Sequence, residues 1–192
     1  MGDVEVKDAP AIEPIPTALM AEPLNWLFAE HYRHRQFCAL IERIAASQVV
    51  SHLETQEALT FLRHDLPLHI VDEEDDLFPL LRRRCEPEDE VDRVLGSLSA
   101  DHRDDIDVVA QLISLLEASL RLERPPAASP KAQRQLRAFV ARERAHIALE
   151  NAVVLPIARL RLTQEDLDVF SRRMAARRGL PGRSVSTPGA AP

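Results

Sequence analysis

Glycine and aromatic residues are scarce: five glycines, six phenylalanines, one tryptophan and one tyrosine in 192 residues. Strand formers and hairpin turns are correspondingly few, which excludes an all-β fold. Two cysteines, Cys38 and Cys85, can make neither a disulfide framework nor a CxxC site. No run approaches the ~18 apolar residues of a membrane span. The opening Met-Gly-Asp-Val-Glu-Val-Lys-Asp lacks the basic and apolar regions of a secretory signal. No basic stripe marks a nucleic-acid surface; the net charge is −7 with both signs interspersed. The expectation is a cytoplasmic protein with reduced thiols and neither nucleic acid nor membrane as partner. What is present is a chain 45% hydrophobic and 29% charged, enough for one domain with a sizeable core. It also has seven histidines, whose positions matter more than their number.

Residues 1–22 carry Pro10, Pro14 and Pro16 among acidic and small residues and read as a flexible arm. Residues 179–192 read as a disordered tail. Residues 23–178 between them are patterned as helix. The first helix should start at Pro23, with a stripe of Leu24, Leu27, Phe28, His31, Cys38, Ile41 and Ile44. The second carries Leu59, Leu62, Leu66, His69, Glu73, Leu77 and Leu80, with a kink or loosened turn expected at Pro67 and Pro79. Pro87 is expected to open the third, with Val91, Leu95, Leu98, His102, Val109, Leu112 and Leu116. After a proline-rich loop at 124–130, the fourth carries Leu136, Phe139, Val140, Glu143, His146, Glu150, Val153 and Ile157, bent or ended by Pro156. Thr163-Gln164-Glu165-Asp166 reads as a capping box opening a short fifth helix. The predicted fold is all-α: an antiparallel up-and-down four-helix bundle with a short C-terminal fifth helix. No internal repeat of fixed period is evident.

Each inward stripe is interrupted by one histidine: His31, His69, His102 and His146. On the second and fourth helices a glutamate follows four residues later, Glu73 and Glu150, on the same face and one turn away. Six such groups in a dry core without partners would cost several kcal/mol each; a bound cation removes that penalty. Measured from the inter-helix turns, the six differ in depth by about 6 Å at most, roughly one helical turn. They can therefore converge on one level. Four imidazoles and two carboxylates exceed one tetrahedral zinc site, and calcium or magnesium would want oxygen ligands. The set suits iron or manganese. Two metals bridged by Glu73 and Glu150 would receive two histidines each; the spacing leaves open which histidines share a metal.

These residues resemble the hemerythrin-like HHE cation-binding domain over about residues 22–160. The matching segments are Glu30-His31-Tyr32-Arg33-His34-Arg35, His69-Ile70-Val71-Asp72-Glu73-Glu74-Asp75-Asp76-Leu77-Phe78-Pro79, Asp101-His102-Arg103, and His146-Ile147-Ala148-Leu149-Glu150 with Leu155-Pro156 beyond. The resemblance implies a bundle holding two iron ions (Fe2+/Fe3+) joined by an oxo or hydroxo bridge. It implies a protein that binds or senses dioxygen, nitric oxide or iron. Oxygen-carrying members have His-x3-His on the third helix and His-x4-Asp on the fourth. Here Ile106 stands four after His102, and the fourth helix has His-x3-Glu. That pair is nearer the iron-centre repair proteins, whose cysteine-bearing N-terminal domain residues 1–22 cannot supply. A nitric oxide-handling or repair role is one alternative; a metal-free helical interaction module is another.

The other polar residues carry blander expectations. His34 should sit at the edge of its stripe, and His52 and His64 in solvent. Glu74 is a supporting group or an alternative carboxylate. Glu143 makes a lone Glu-x2-His with His146; the ferritin-like pattern needs two, and Phe28, Leu66 and Ser99 stand three before the other histidines. Cys38 should be a small core residue, Trp26 and Tyr32 packing or surface groups, and Arg82-Arg83-Arg84 a complement to a helix C-terminus.

Overall fold

The computed structural model describes residues 11–180, in which no strand occurs. Helix α1 is Pro23–Ala46. Helix α2 runs over residues 52–84, α3 is Val91–Leu122, α4 runs over residues 130–161, and α5 is Gln164–Arg177. Their starts follow local chemistry. Ser51 and Ser129 accept the N–H of Glu54 and Ala132 at the heads of α2 and α4. Thr163 and Asp166 form the expected reciprocal capping box of α5.

Two apolar layers define the bundle. One contains Leu24 and Leu27 of α1, Leu77 and Leu81 of α2, Leu95 and Leu98 of α3, and Val154 and Ala158 of α4. The other contains Phe37 and Ile41, Leu59 and Leu62, Leu112 and Leu116, and Leu136 and Phe139. The chain meets them in opposite order on successive helices, so α1 to α4 run up and down. Between the layers every helix contributes buried polar residues at one level. α5 packs on the first layer through Phe170 and Met174.

Prolines 67, 79 and 156 do not end their helices; the loosened turn expected at Pro67 and Pro79 is present, and Pro156 has one too. Each proline stands two residues past the end of a π turn: Phe61–Asp65, Glu73–Leu77 and Glu150–Val154. In each, the N–H of the residue before the proline reaches back five residues, from Leu66 to Phe61, Phe78 to Glu73 and Leu155 to Glu150. A proline has no N–H and its ring crowds the carbonyl four residues back. Widening the turn relieves both. Two of the three wide turns begin at Glu73 and Glu150.

Three expectations need correction. Phe28, placed on the α1 stripe, is 52% exposed. Pro87 opens only the short 3-10 turn Pro87–Asp89; Glu90 then takes a left-handed φ of 48° and α3 starts at Val91. Residues 11–22, read as part of a free arm, are tied down instead. Ile12 and Met20 are buried, and the N–H groups of Ala11 and Ile12 donate to the Glu57 carboxylate. The remainder of the expected arm, and residues 181–192 of the expected tail, lie outside the described residues.

Candidate metal centre

His31, His69, Glu73, His102, His146 and Glu150 are all buried, and the bundle brings them together. Their donor atoms form two overlapping groups of four: His31, His69, Glu73 and Glu150, and His102, His146, Glu73 and Glu150. Within each group the atoms lie within 4.8 Å of one another. The hairpin α1–α2 thus supplies one histidine pair and α3–α4 the other.

Both glutamates are shared in the same way. Glu73 turns Oε1 to His69 Nε2 at 3.5 Å and Oε2 to His102 Nε2 at 3.4 Å. Glu150 turns Oε2 to His31 Nε2 at 3.3 Å and Oε1 to His146 Nε2 at 2.9 Å. All four Nε2 atoms face inward. The Nδ1 atoms face outward to other partners: Asn151 Oδ1 at 3.0 Å for His31, Glu30 Oε2 at 3.1 Å for His69, and Glu74 Oε1 at 2.7 Å for His102. His146 Nδ1 faces Asp101 Oδ2 at 3.5 Å. An imidazole whose Nδ1–H is held by an acceptor presents its Nε2 lone pair to a metal in a fixed orientation.

The donors fit a cation. His31 Nε2, Glu73 Oε2 and both Glu150 oxygens are buried and make no hydrogen bond. Native cores rarely leave so many polar atoms in one place unsatisfied. The protons respond to the same crowding. Burial pulls His31 down to about 3, helped by the charge of His69. Burial also opposes charging His69 and His146. Glu73 with Glu30 outweighs it at the first, and Glu150 at the second, pushing them up to about 10 and about 9.

The family model of the hemerythrin HHE cation binding domain matches residues 22–158. The chain belongs to this family. No curated protein matches it. All six donors of this HHE domain, and all four Nδ1 partners, lie inside the matched span; α5 lies outside it.

The HHE site has an internal two-fold pattern. His69 and His146, Glu73 and Glu150, Glu74 and Asn151, and Pro79 and Pro156 are each 77 positions apart. His31 and His102, with Glu30 and Asp101 before them, are 71 apart. Each single histidine bonds the residue after a shared glutamate, and each paired histidine faces the residue before a single one. Two different offsets hide this from a search for one fixed period.

Several residues fall where the sequence did not put them. His34 is fully buried, not at an edge; its Nδ1 pairs with Glu143 Oε1 at 2.5 Å, and its ring lies 4.5 Å from that of His69. Burial opposes ionising Glu143, but His34 outweighs it and holds the carboxyl down to about 2. The signal was available: Leu27, His31, His34, Cys38 and Ile41 form a 4-3-4-3 ladder. Glu30, Asp101 and Asn151 gave no such signal, since each sits one residue off its stripe and serves a histidine of another helix. His52 and His64 are exposed as expected, Cys38 is buried in the core, and Trp26 is buried while Tyr32 is exposed.

Proposed function

We propose that this HHE domain holds two iron ions, one between His31 and His69 and one between His102 and His146, with Glu73 and Glu150 bridging both. We further propose that it binds or senses dioxygen, nitric oxide or iron itself through them. The observation that carries this reading is the division of each glutamate's two oxygens between the two histidine pairs. A bound iron pair supplies a change of oxidation state and open positions for a small ligand. The chain's own residues orient the imidazoles through Asn151, Glu30 and Glu74, and the two apolar layers keep bulk water out.

Access is supported on one side. A groove of about 510 Å³ between α2 and α3 reaches His102 and Glu74 and is walled by Ile70, Val71, Ile106 and Val109. An apolar wall favours a small uncharged ligand. Filling the groove with Ile106→Trp should leave the iron content intact and slow nitric oxide association in stopped flow. An unchanged rate rejects this route.

The test of the reading is anaerobic reconstitution with Fe2+, then oxidation. Two ions per chain and the near-ultraviolet absorption of a bridged ferric pair are expected. Fewer than one ion per chain rejects it. The His146-x3-Glu150 pair favours a second reading, in which the protein turns over nitric oxide or helps repair iron centres. Catalytic consumption of nitric oxide by the reduced protein supports that reading; stoichiometric binding supports sensing. The metal-free interaction module predicts that no Fe2+ is taken up and that a chelator does not lower thermal stability.

A further inference from the structure

Arg178 lies 20 residues beyond the end of the family match, just past the last turn of α5. Its side chain is only 11% exposed. Nη2 donates to Glu30 Oε1 at 2.8 Å and lies 2.6 Å from Asp72 Oδ2. Nη1 donates to the Met174 carbonyl of α5 at 3.2 Å, and the guanidinium lies over the Trp26 ring at 5.4 Å. The other oxygen of Glu30 takes the Nδ1–H of His69. An unbroken line therefore runs from the end of α5 through Arg178 and Glu30 to His69.

The other three histidines lack such a line. His31 rests on the neutral amide oxygen of Asn151. His102 rests on Glu74, whose side chain is 31% exposed and shared with the Ser99 hydroxyl. His146 faces the half-exposed Asp101 without a hydrogen bond. Glu30 and Asp72 are two buried acids that share one guanidinium nitrogen. Without it they repel, and Glu30 can turn away from His69. α5 holds Arg178 there by means that do not involve the site. Asp166 binds Arg83 and Arg84, and Phe170 and Met174 are in the core.

We propose that Arg178 is a positioning residue for the metal site and that α5 is a strap carrying it. By clamping Glu30 it orients His69 and strengthens metal binding in the His31–His69 half alone. This rests on the two-metal reading above. A lysine cannot reproduce it, because one ammonium cannot hold the Met174 carbonyl and both carboxylates with the geometry of a guanidinium.

The test is anaerobic Fe2+ titration of the full chain against a chromophoric chelator, with thermal unfolding of the metal-free protein beside it. Arg177→Gln is the structural control, since Arg177 pairs with Asp72 and Asp76 but not with Glu30. Arg178→Gln should weaken one of the two ions by about tenfold, the scale seen when a histidine ligand loses its outer partner, and leave the other unchanged. Glu30→Gln should weaken the same ion, and Arg178→Lys should do so less. Arg177→Gln should lower the melting temperature while binding both ions as tightly as the unaltered chain. Equal affinities in the Arg178→Gln, Arg178→Lys and unaltered proteins overturn the proposal while the two-metal reading stands. An unaltered chain that takes up no Fe2+ overturns both.

Discussion

Glu73 and Glu150 are buried among four imidazoles, of which His69 and His146 hold their protons in the absence of a metal while His31 does not. His69 and His146 are pushed up to about 10 and about 9, above the ordinary histidine value of 6.5. In the metal-free chain the stabilisation from these charged imidazoles is complete below pH ~6.5 and is lost as pH rises through 9 and 10. Metal competes for the same nitrogens, so its affinity rises over that window, by up to about tenfold per pH unit for each proton displaced. The melting temperature of chelator-treated protein should therefore fall from pH 6.5 to 9, while the gap between loaded and stripped protein widens. A gap that narrows with pH contradicts this assignment. The pair His34–Glu143 obeys another rule. It is buried, and each partner's hydrogen bond is made to the other, so His34→Leu or Glu143→Leu alone should cost about 3–5 kcal/mol in urea unfolding. The double replacement should recover most of that, and additive losses would show that the two do not depend on each other. The six donors were legible as single residues because polar groups on apolar stripes are conspicuous. Glu30, Asp101 and Asn151 were not, because only the rotation of neighbouring helices brings them to their histidines.

Among the elements, α2 and α4 are the two that carry paired donors, and they share a device. In both, the shared glutamate opens a π turn closed five residues on by the N–H of Phe78 or Leu155, with a proline next in the chain. The stripes and the prolines were readable in the sequence. A loosened turn was readable at Pro67 and Pro79 as well; its π form, and its start at the shared glutamates, were not, since a periodicity of 3.6 absorbs one widened turn without a visible break. α5 was readable from its capping box, but its reach of 148 residues back to Glu30 was not. Asp166 anchors this helix by capping Thr163 and binding Arg83 and Arg84. The Arg84 guanidinium holds its carboxyl well below the usual range. Its contribution is therefore present above pH ~4 and lost as pH falls below that. Asp166→Ala should cost about 1–2 kcal/mol. By hydrogen exchange it should speed the amides of α5 and leave those of α1 unchanged; equal acceleration in both would show that α5 is not a separately anchored unit.

The whole molecule is a polar layer held between two apolar ones, with a fifth helix leaning on one end. Burial of the apolar layers drives the four helices together, and its pattern made the fold class readable. It does not satisfy the polar layer, where donors from all four helices converge with unpaired atoms. Two bridged cations would join both hairpins through Glu73 and Glu150. The most direct measurement is anomalous diffraction at the iron edge from crystals of the reconstituted chain. Two peaks are expected, one beside His31 and His69 and one beside His102 and His146, both within coordination distance of Glu73 and Glu150. A single peak, or peaks that do not touch both glutamates, contradicts the shared-glutamate centre.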